Sequence, residues 1–358
     1  MATVVLAGGG TAGHIEPALA VARQWMKTHP SDKCIFLGTK SGLENTLVPA
    51  AGFELRLIPK VVISRAPSAS WLRIPTDLIS SVLSSLKVIK KADVLVGFGG
   101  YVSAPAYLAA ALSRTPIVIH EANAKPGWAN RLGALFTSHL AVAHPVDQGK
   151  FSDALLAGLP LRSDVANACV TSQTNWANAR STAKLRLGFP ASAPLVFIMG
   201  GSQGSSAMNS VIADSVAYFN QLGISVLHSV GKLNALPTPL GGYKPVAYVD
   251  AMADAYLGAD LIIARSGAVT CSEFRALGRY ALFVPLPIGN GEQFVNAASL
   301  VADGRAEVIN QKEFTSEFLG AHIKTLLETA SRAQIHGDDQ DLKSAEKIVS
   351  LTEFALKS

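Results

Sequence analysis

With 358 residues, 49% hydrophobic and 16% charged, the chain is not a disordered protein and is long enough to bury more than one core. Its three cysteines are odd in number and lack C-x-x-C spacing, which argues against a disulfide framework or a structural zinc site and fits buried thiols in a reducing compartment. The net charge of +5 is uneven: residues 1–162 hold 16 Lys and Arg against 9 Asp and Glu, the rest 15 against 17. An anionic partner on the first half, a phosphate or an acidic membrane surface, fits that excess; so does a solvated surface.

The first apolar run, Thr3 to Ala7, starts without a basic n-region or a small-residue cleavage site, so a cytosolic location is expected. It ends in Gly8-Gly-Gly-Thr-Ala-Gly-His14, which opens a helical stretch. Glycines allow a tight turn and close approach of a ligand, and free N–H groups at a helix start favour phosphate. Gly8, Gly10 and Gly13 also satisfy the dinucleotide fingerprint G-x-G-x-x-G, which admits an NADP-dependent oxidoreductase. Against it, the second run, Cys34 to Leu37, leads into Gly38-Thr39-Lys40 without the carboxylate that holds an adenosine ribose, although Lys40 suits a 2′-phosphate. His14, at the mouth of the loop, can take a proton from a sugar hydroxyl near neutral pH or simply bridge the loop.

Residues 94–113 carry no charge and match a membrane span in length, but Gly97, Gly99, Gly100 and Pro105 interrupt them. The run Asp93 to Phe98, a glycine turn and a helix are expected instead. The turn, Gly97-Phe-Gly-Gly-Tyr-Val-Ser103, suits a second diphosphate or helix–sheet packing. A further run, Ile117 to Ile119, ends in His120-Glu-Ala-Asn123, polar groups at the strand end where open α/β sheets keep ligands. The domain boundary is placed after Gly158-Leu-Pro-Leu-Arg162, because the following residues to about Ala183 are rich in Ala, Ser, Thr and Asn without a strand signal.

The second half repeats the pattern with runs Leu195 to Met199, Ser225 to His228 and Asp260 to Ala264. The first echoes Thr3 to Ala7 and the third echoes Asp93 to Phe98, so two doubly wound parallel-sheet domains are expected, 1–162 and 163–341. A last helix, 342–358, fits either. Gly200-Gly-Ser-Gln-Gly204 repeats the phosphate-loop logic. Arg265-Ser-Gly-Ala-Val-Thr-Cys-Ser-Glu273 sets hydroxyls and a carboxylate at a helix start, where Glu273 suits the two hydroxyls of a ribose or a solvated first turn. Pro285 to Asn296 delivers Gln293 and Asn296, amides suited to sugar hydroxyls. The one D-x-D, Asp339-Gln-Asp341, reads as a solvated turn, so no metal-dependent sugar-nucleotide site is expected. The signatures of P-loop ATPases, α/β-hydrolases and zincins are absent.

Taken in order, Gly9 to His14, Gly97 to Ser103, His120 to Asn123, Gly200 to Gly204, Arg265 to Thr270 and Glu292-Gln293 resemble the MurG family from the first strand to about residue 310. The resemblance implies a GT-B fold with two Rossmann-like domains facing a cleft. It implies inverting transfer of N-acetylglucosamine from UDP-N-acetylglucosamine to undecaprenyl-diphospho-muramyl-pentapeptide at the cytoplasmic face of the membrane, without cofactor, metal or nucleic acid. A GT-B transferase with another acceptor is the alternative within the fold. By the same resemblance, Thr11, Ala12, Gly13 and Asn123 lie beside the donor and Arg162 and Ser202 face its diphosphate. Glu273 takes the ribose, Gln293 the sugar hydroxyls, and Val249, Ala268, Val269 and Thr270 complete the donor site. Gly99, Gly100 and Tyr101 belong to the acceptor side, and His14, then Glu121, are candidates for the base. Ala12, Ala122, Leu159 and Glu292 depart from the family pattern. Between Trp71 and Lys91, apolar residues mix with Arg73, Lys87, Lys90 and Lys91, a composition shared by core-packed helices and by interfacial helices on anionic lipid. A polyprenyl acceptor favours the second.

Overall fold

The computed structural model describes residues 1–61, 74–287, 291–333 and 337–358. Trp71, Leu72 and Arg73 of the basic amphipathic stretch, and residues 288–290 of the Pro285 loop, lie outside the described residues. The chain divides into two units, Met1–Arg162 with Gln340–Ser358, and Ser163–Asp339.

In the first unit, continuous apolar runs become strands buried on both faces, as parallel sheets require. Val4 and Leu6 enter one core cluster with Trp25 and Phe36, while Val5 and Ala7 enter another with Tyr107 and Ile119, the two-residue pleat sorting neighbours to opposite faces. The elements follow as β1 (Thr3–Ala7), α1 (Ala12–Thr28), β2 (Lys33–Gly38), α2 (Glu44–Ala50), β3 (Glu54–Leu57), α3 (Ile74–Ile89) and β4 (Val94–Gly97). Then come α4 (Ser103–Ser113), β5 (Ile117–Glu121), α5 (Trp128–Gly133), β6 (Leu140–Val142) and β7 (Leu155–Leu156). The sheet is parallel, in the order β3-β2-β1-β4-β5-β6-β7. Strand order reverses between β1 and β4, which brings their following loops side by side at the carboxyl edge. The uncharged stretch 94–113 is thus a strand, a turn and a helix, and no described helix is long and apolar enough to cross a membrane.

The second unit contains α6 (Ser163–Thr174), α7 (Trp176–Arg186), β8 (Leu195–Met199), α8 (Ser206–Gln221), β9 (Ser225–Ser229), β10 (Tyr243–Val246) and α9 (Met252–Gly258). It continues with β11 (Leu261–Ala264), α10 (Ala268–Leu277), β12 (Ala281–Phe283), α11 (Glu292–Ala302), β13 (Ala306–Val308) and α12 (Ser316–Arg332). Its parallel sheet runs β10-β9-β8-β11-β12-β13, with the reversal between β8 and β11. The internal echo in the sequence therefore has a structural basis: β8 and β11 stand in their sheet as β1 and β4 stand in theirs.

The chain returns to the first unit through Asp339, which is exposed in a bend as expected, and Asp341, for which the expectation of a solvated turn is corrected. Asp339 accepts from Gln173 Nε2 at 3.1 Å within the second unit. Asp341 is buried in the first, where Leu159 N–H donates to it at 2.9 Å. A carboxylate that fills a backbone bond is part of the fold. The last helix, α13 (Ser344–Lys357), packs on α1 and reaches β4 and β5, with Ile348 and Val349 in the core cluster of Val4 and Leu6. Cys34, Cys169 and Cys271 are buried, and burial pushes each thiol up to about 12.

Candidate active site

In the first unit the β1–α1 and β4–α4 loops touch, and their glycines permit it. A Cβ on Gly9 would fall 2.5 Å from Val102 Cγ2, and one on Gly100 2.5 Å from the Gly9 carbonyl oxygen. Gly10, Gly99 and Gly100 also hold φ of +91°, +88° and +80°, where other residues are strained. Ser103 Oγ lies 2.8 Å from both Ala7 O and Gly99 O and ties the loops together. Thr11, Ala12 and Gly13 start α1, with His14 in its first turn.

His14 is half-buried. Its Nδ1 lies 3.2 Å from Thr11 Oγ1, and a Cβ on Gly100 would stand 3.2 Å from that same nitrogen. Burial lowers its pKa, against the opposing pull of the Glu121 charge, the Gly9 backbone and the Glu44 charge. The ring is therefore neutral at pH 7 and has a nitrogen free to accept a proton.

Sequence reasoning missed Glu44. Its fully buried carboxylate accepts from Gly10 N–H at 3.1 Å and Thr39 N–H at 2.9 Å, with the Thr39 and Tyr101 hydroxyls each 3.3 Å from Oε1. The carboxylate lacking at the end of β2 thus stands at the start of α2, holding the glycine loop by its backbone. Tyr101 is fixed from both sides, since Lys60 Nζ lies 5.1 Å above its ring.

Glu121 is buried and heavily engaged: Asn123 N and Nδ2 donate to Oε1 at 2.9 and 3.1 Å, and Gly127 N and Asn130 Nδ2 donate to Oε2, both at 2.9 Å. These contacts leave little room for a role as base and make Glu121 the organiser of the turn that carries Asn123. Asn130, also missed, receives the Tyr107 hydroxyl at 2.7 Å. Arg162 ends the first unit with Nη1 3.8 Å from Glu16 on α1.

In the second unit one buried cation organises three segments. Arg265 Nη2 donates to Ser205 Oγ at 2.8 Å and Gln311 Oε1 at 2.6 Å, and Nη1 donates to the Val284 and Pro285 carbonyls at 2.8 and 3.0 Å. That fixes the β8–α8 loop, which carries Ser202, beside the loop after β12. Gly204 packs so tightly on Val230 that a Cβ would fall 2.0 Å from its carbonyl oxygen. Ser205 caps α8, its hydroxyl accepting from Met208 N at 3.4 Å. Ala268, Val269 and Thr270 form the first turn of α10, and Val249 is buried between β10 and α9. Glu273 is buried on α10 and takes the Tyr256 hydroxyl at 2.7 Å, not a solvated first-turn position. Gln293 Oε1 accepts Leu286 N–H at 2.9 Å, so this amide braces its own loop. Asn296 is buried with its side chain facing Ser266 O at 3.3 Å.

The structure thus gathers Thr11 to His14, Gly99 to Tyr101, Glu121 and Asn123 at the carboxyl edge of the first sheet. Ser202, Ala268 to Thr270, Glu273 and Gln293 gather at that of the second. Glycine loops before helices at the switch points of two doubly wound sheets give each unit a place for a phosphate-bearing ligand. The model of the glycosyltransferase family 28 N-terminal domain matches residues 4–142 and that of its C-terminal domain residues 195–351. A protein of Thermobifida fusca named UDP-N-acetylglucosamine–N-acetylmuramyl-(pentapeptide) pyrophosphoryl-undecaprenol N-acetylglucosamine transferase is 41% identical, covering 97% of this chain and 94% of its own. One of the same name from Paenarthrobacter aurescens is 43% identical over 92% and 89%. The crystal structure of Acinetobacter baumannii MurG aligns with a TM-score of 0.69 at 27% identity, covering 99% and 100% of the two chains. The chain belongs to glycosyltransferase family 28, among the MurG transferases. An oxidoreductase using the G-x-G-x-x-G loop is displaced by that membership.

Proposed function

We propose that the chain transfers N-acetylglucosamine from UDP-N-acetylglucosamine to the 4-hydroxyl of undecaprenyl-diphospho-muramyl-pentapeptide, with inversion, in cell-wall synthesis. The observation that carries this is the 41% identity with the Thermobifida fusca transferase across 97% of the chain. In this reading the second unit holds the donor: the Ser202 loop and the N-terminus of α8 meet the diphosphate, Glu273 the ribose and Gln293 the sugar, with Val249 and Ala268 to Thr270 lining the nucleotide. Arg162 and the helix N-termini stabilise the departing UDP. The first unit supplies the acceptor side through Gly99, Gly100 and Tyr101, with Thr11 to Gly13 and Asn123 beside the transferred sugar. His14 removes the proton of the attacking hydroxyl, a role suited to an imidazole kept neutral by burial. Glu121 positions Asn123 instead of accepting the proton.

Asp339 and Asp341 are occupied by Gln173 and the Leu159 backbone, which favours a leaving group served by Arg162 and helix dipoles over one served by a D-x-D metal. The protein then docks peripherally on the cytoplasmic leaflet, where its acceptor resides. The test is UDP release from UDP-N-acetylglucosamine in the presence of the lipid-linked muramyl-pentapeptide, with and without EDTA. Turnover that depends on the lipid acceptor and survives EDTA is expected. No release with that acceptor would end the reading, and complete loss with EDTA would end its metal-free part.

A further inference from the structure

A second cluster of charge lies at the opposite, amino edge of the second sheet, where Asp260 precedes β11 and Arg279 precedes β12. Asp260 is fully engaged: Arg180 pairs with Oδ1, while Lys184 Nζ at 2.7 Å and Leu195 N–H at 2.8 Å donate to Oδ2. Lys184, only 1% exposed, also donates to Ala193 O at 2.6 Å. Arg279 is 6% exposed; its Nη2 donates to Ala259 O and its guanidinium sits 4.6 Å from the Trp176 ring centre. Its buried Nε has no hydrogen-bond partner among the described residues, and no described carboxylate pairs with it. Arg180 and Lys184 thus share one carboxylate, and Arg279 has none among the described residues. The strain shows in their titration: burial, then the Arg180 charge, lowers Arg279 to about 9, and burial with the Arg180 and Arg279 charges lowers Lys184 to about 8.

A cavity of about 300 Å³ opens on this cluster, lined by Arg180, Arg279 and Asp260, the hydroxyl-bearing Ser192 and Ser331, and the indole of Trp176. We propose that this cavity binds a small phosphoryl anion, free phosphate or a phosphate monoester, held chiefly by Arg180 and Arg279. Two positive charges in excess match a dianion, guanidinium donors suit phosphate oxygens, and Trp176 offers an apolar wall for an ester's organic part. The cavity lies at the other end of the strands from the loops assigned to the donor, so the inference stands apart from the transferase reading.

The test is calorimetric titration of the full chain with inorganic phosphate and with glycerol 3-phosphate at constant ionic strength, with UDP at saturation to occupy the nucleotide loops. Binding that persists under UDP, weakens by about tenfold or more in Arg180→Gln, and disappears in Arg279→Leu is expected. Tighter binding of the ester assigns the monoester, and equal binding the free ion. If Arg279→Leu does not fold, Arg180→Gln, whose side chain is 37% exposed, carries the comparison. Affinities unchanged in a folded variant, or binding abolished by UDP, would mean an ion held only at the nucleotide loops and would overturn the proposal.

Discussion

At the scale of single residues, the first unit's glycine loop carries the His14 imidazole and is shaped by the Glu44 carboxylate. If His14 is the base, His14→Ala should lower turnover by about two to four orders of magnitude and leave UDP-N-acetylglucosamine affinity nearly intact. Steady-state rates beside donor titration separate the two quantities, and near-normal turnover would remove His14 from the chemistry. Glu44 makes a different prediction, because it acts on the fold. Glu44→Ala strips the part-buried Gly10 and the buried Thr39 N–H groups of their acceptor. An unmade buried bond costs about 1–3 kcal/mol, so a loss of about 2 kcal/mol and a fall of roughly 4–8 °C in melting temperature are expected by calorimetry. Neither role was equally legible. His14 follows the glycine loop in sequence, whereas Glu44 reaches Gly10 across 34 positions, and no local pattern marks such a pairing. Asn130 and the several partners of Arg265 were hidden for the same reason.

At the scale of elements, α3 presents its two possible uses on separate faces. Val82, Ser85 and Ile89 are buried, and the helix packs on α4. Ile79 and Leu83 remain 59% and 54% exposed, in line with Lys87 at the same spacing of four and close to exposed Lys90 and Lys91. Periodicity alone could not divide a core stripe from an outer one; burial does, since Ile79 and Leu83 stay exposed among the described residues. The proposed docking on anionic lipid predicts that replacing Lys87, Lys90 and Lys91 with Gln weakens binding to phosphatidylglycerol vesicles by about 1 kcal/mol per charge. Replacing Ile79 and Leu83 with Ser should weaken it further. Equal sedimentation with neutral and anionic vesicles would contradict the docking. The central strands were readable because each is an apolar run, closed by glycine in β1, β2, β4 and β8. Edge strands such as β7, two residues with Leu155 and Leu156 about 40% exposed, offer no run long enough to read.

At the scale of the whole molecule, each unit buries one histidine that must stay neutral. In the first, His120 Nε2 lies 2.8 Å from Gly158 O; burial lowers it to about 4, against the backbone bond that raises it and with the His144 charge that lowers it. In the second, His228 lies between Tyr243 Oη at 2.9 Å and Asn209 Oδ1 at 3.1 Å, and burial likewise lowers it to about 4. With folded values below the unfolded 6.5, the unfolded chain binds more protons between them. Stability is then full above about pH 6.5 and falls as pH drops toward 4. At about 1.4 kcal/mol per pH unit, each histidine should remove about 2 kcal/mol between pH 6.5 and 4.5. His14, lowered for the same cause, adds in the same direction. Carboxylates held low by pairing, such as Glu54 beside Lys33, lose their contribution only below their unfolded value near 4.5, so the upper part of the window belongs to the histidines. Urea unfolding from pH 7.5 to 4.5 should show this decline, and His228→Gln should flatten it for the second unit by about one histidine's share. A stability that stays level to pH 4.5 would mean that these rings take up protons without leaving the fold.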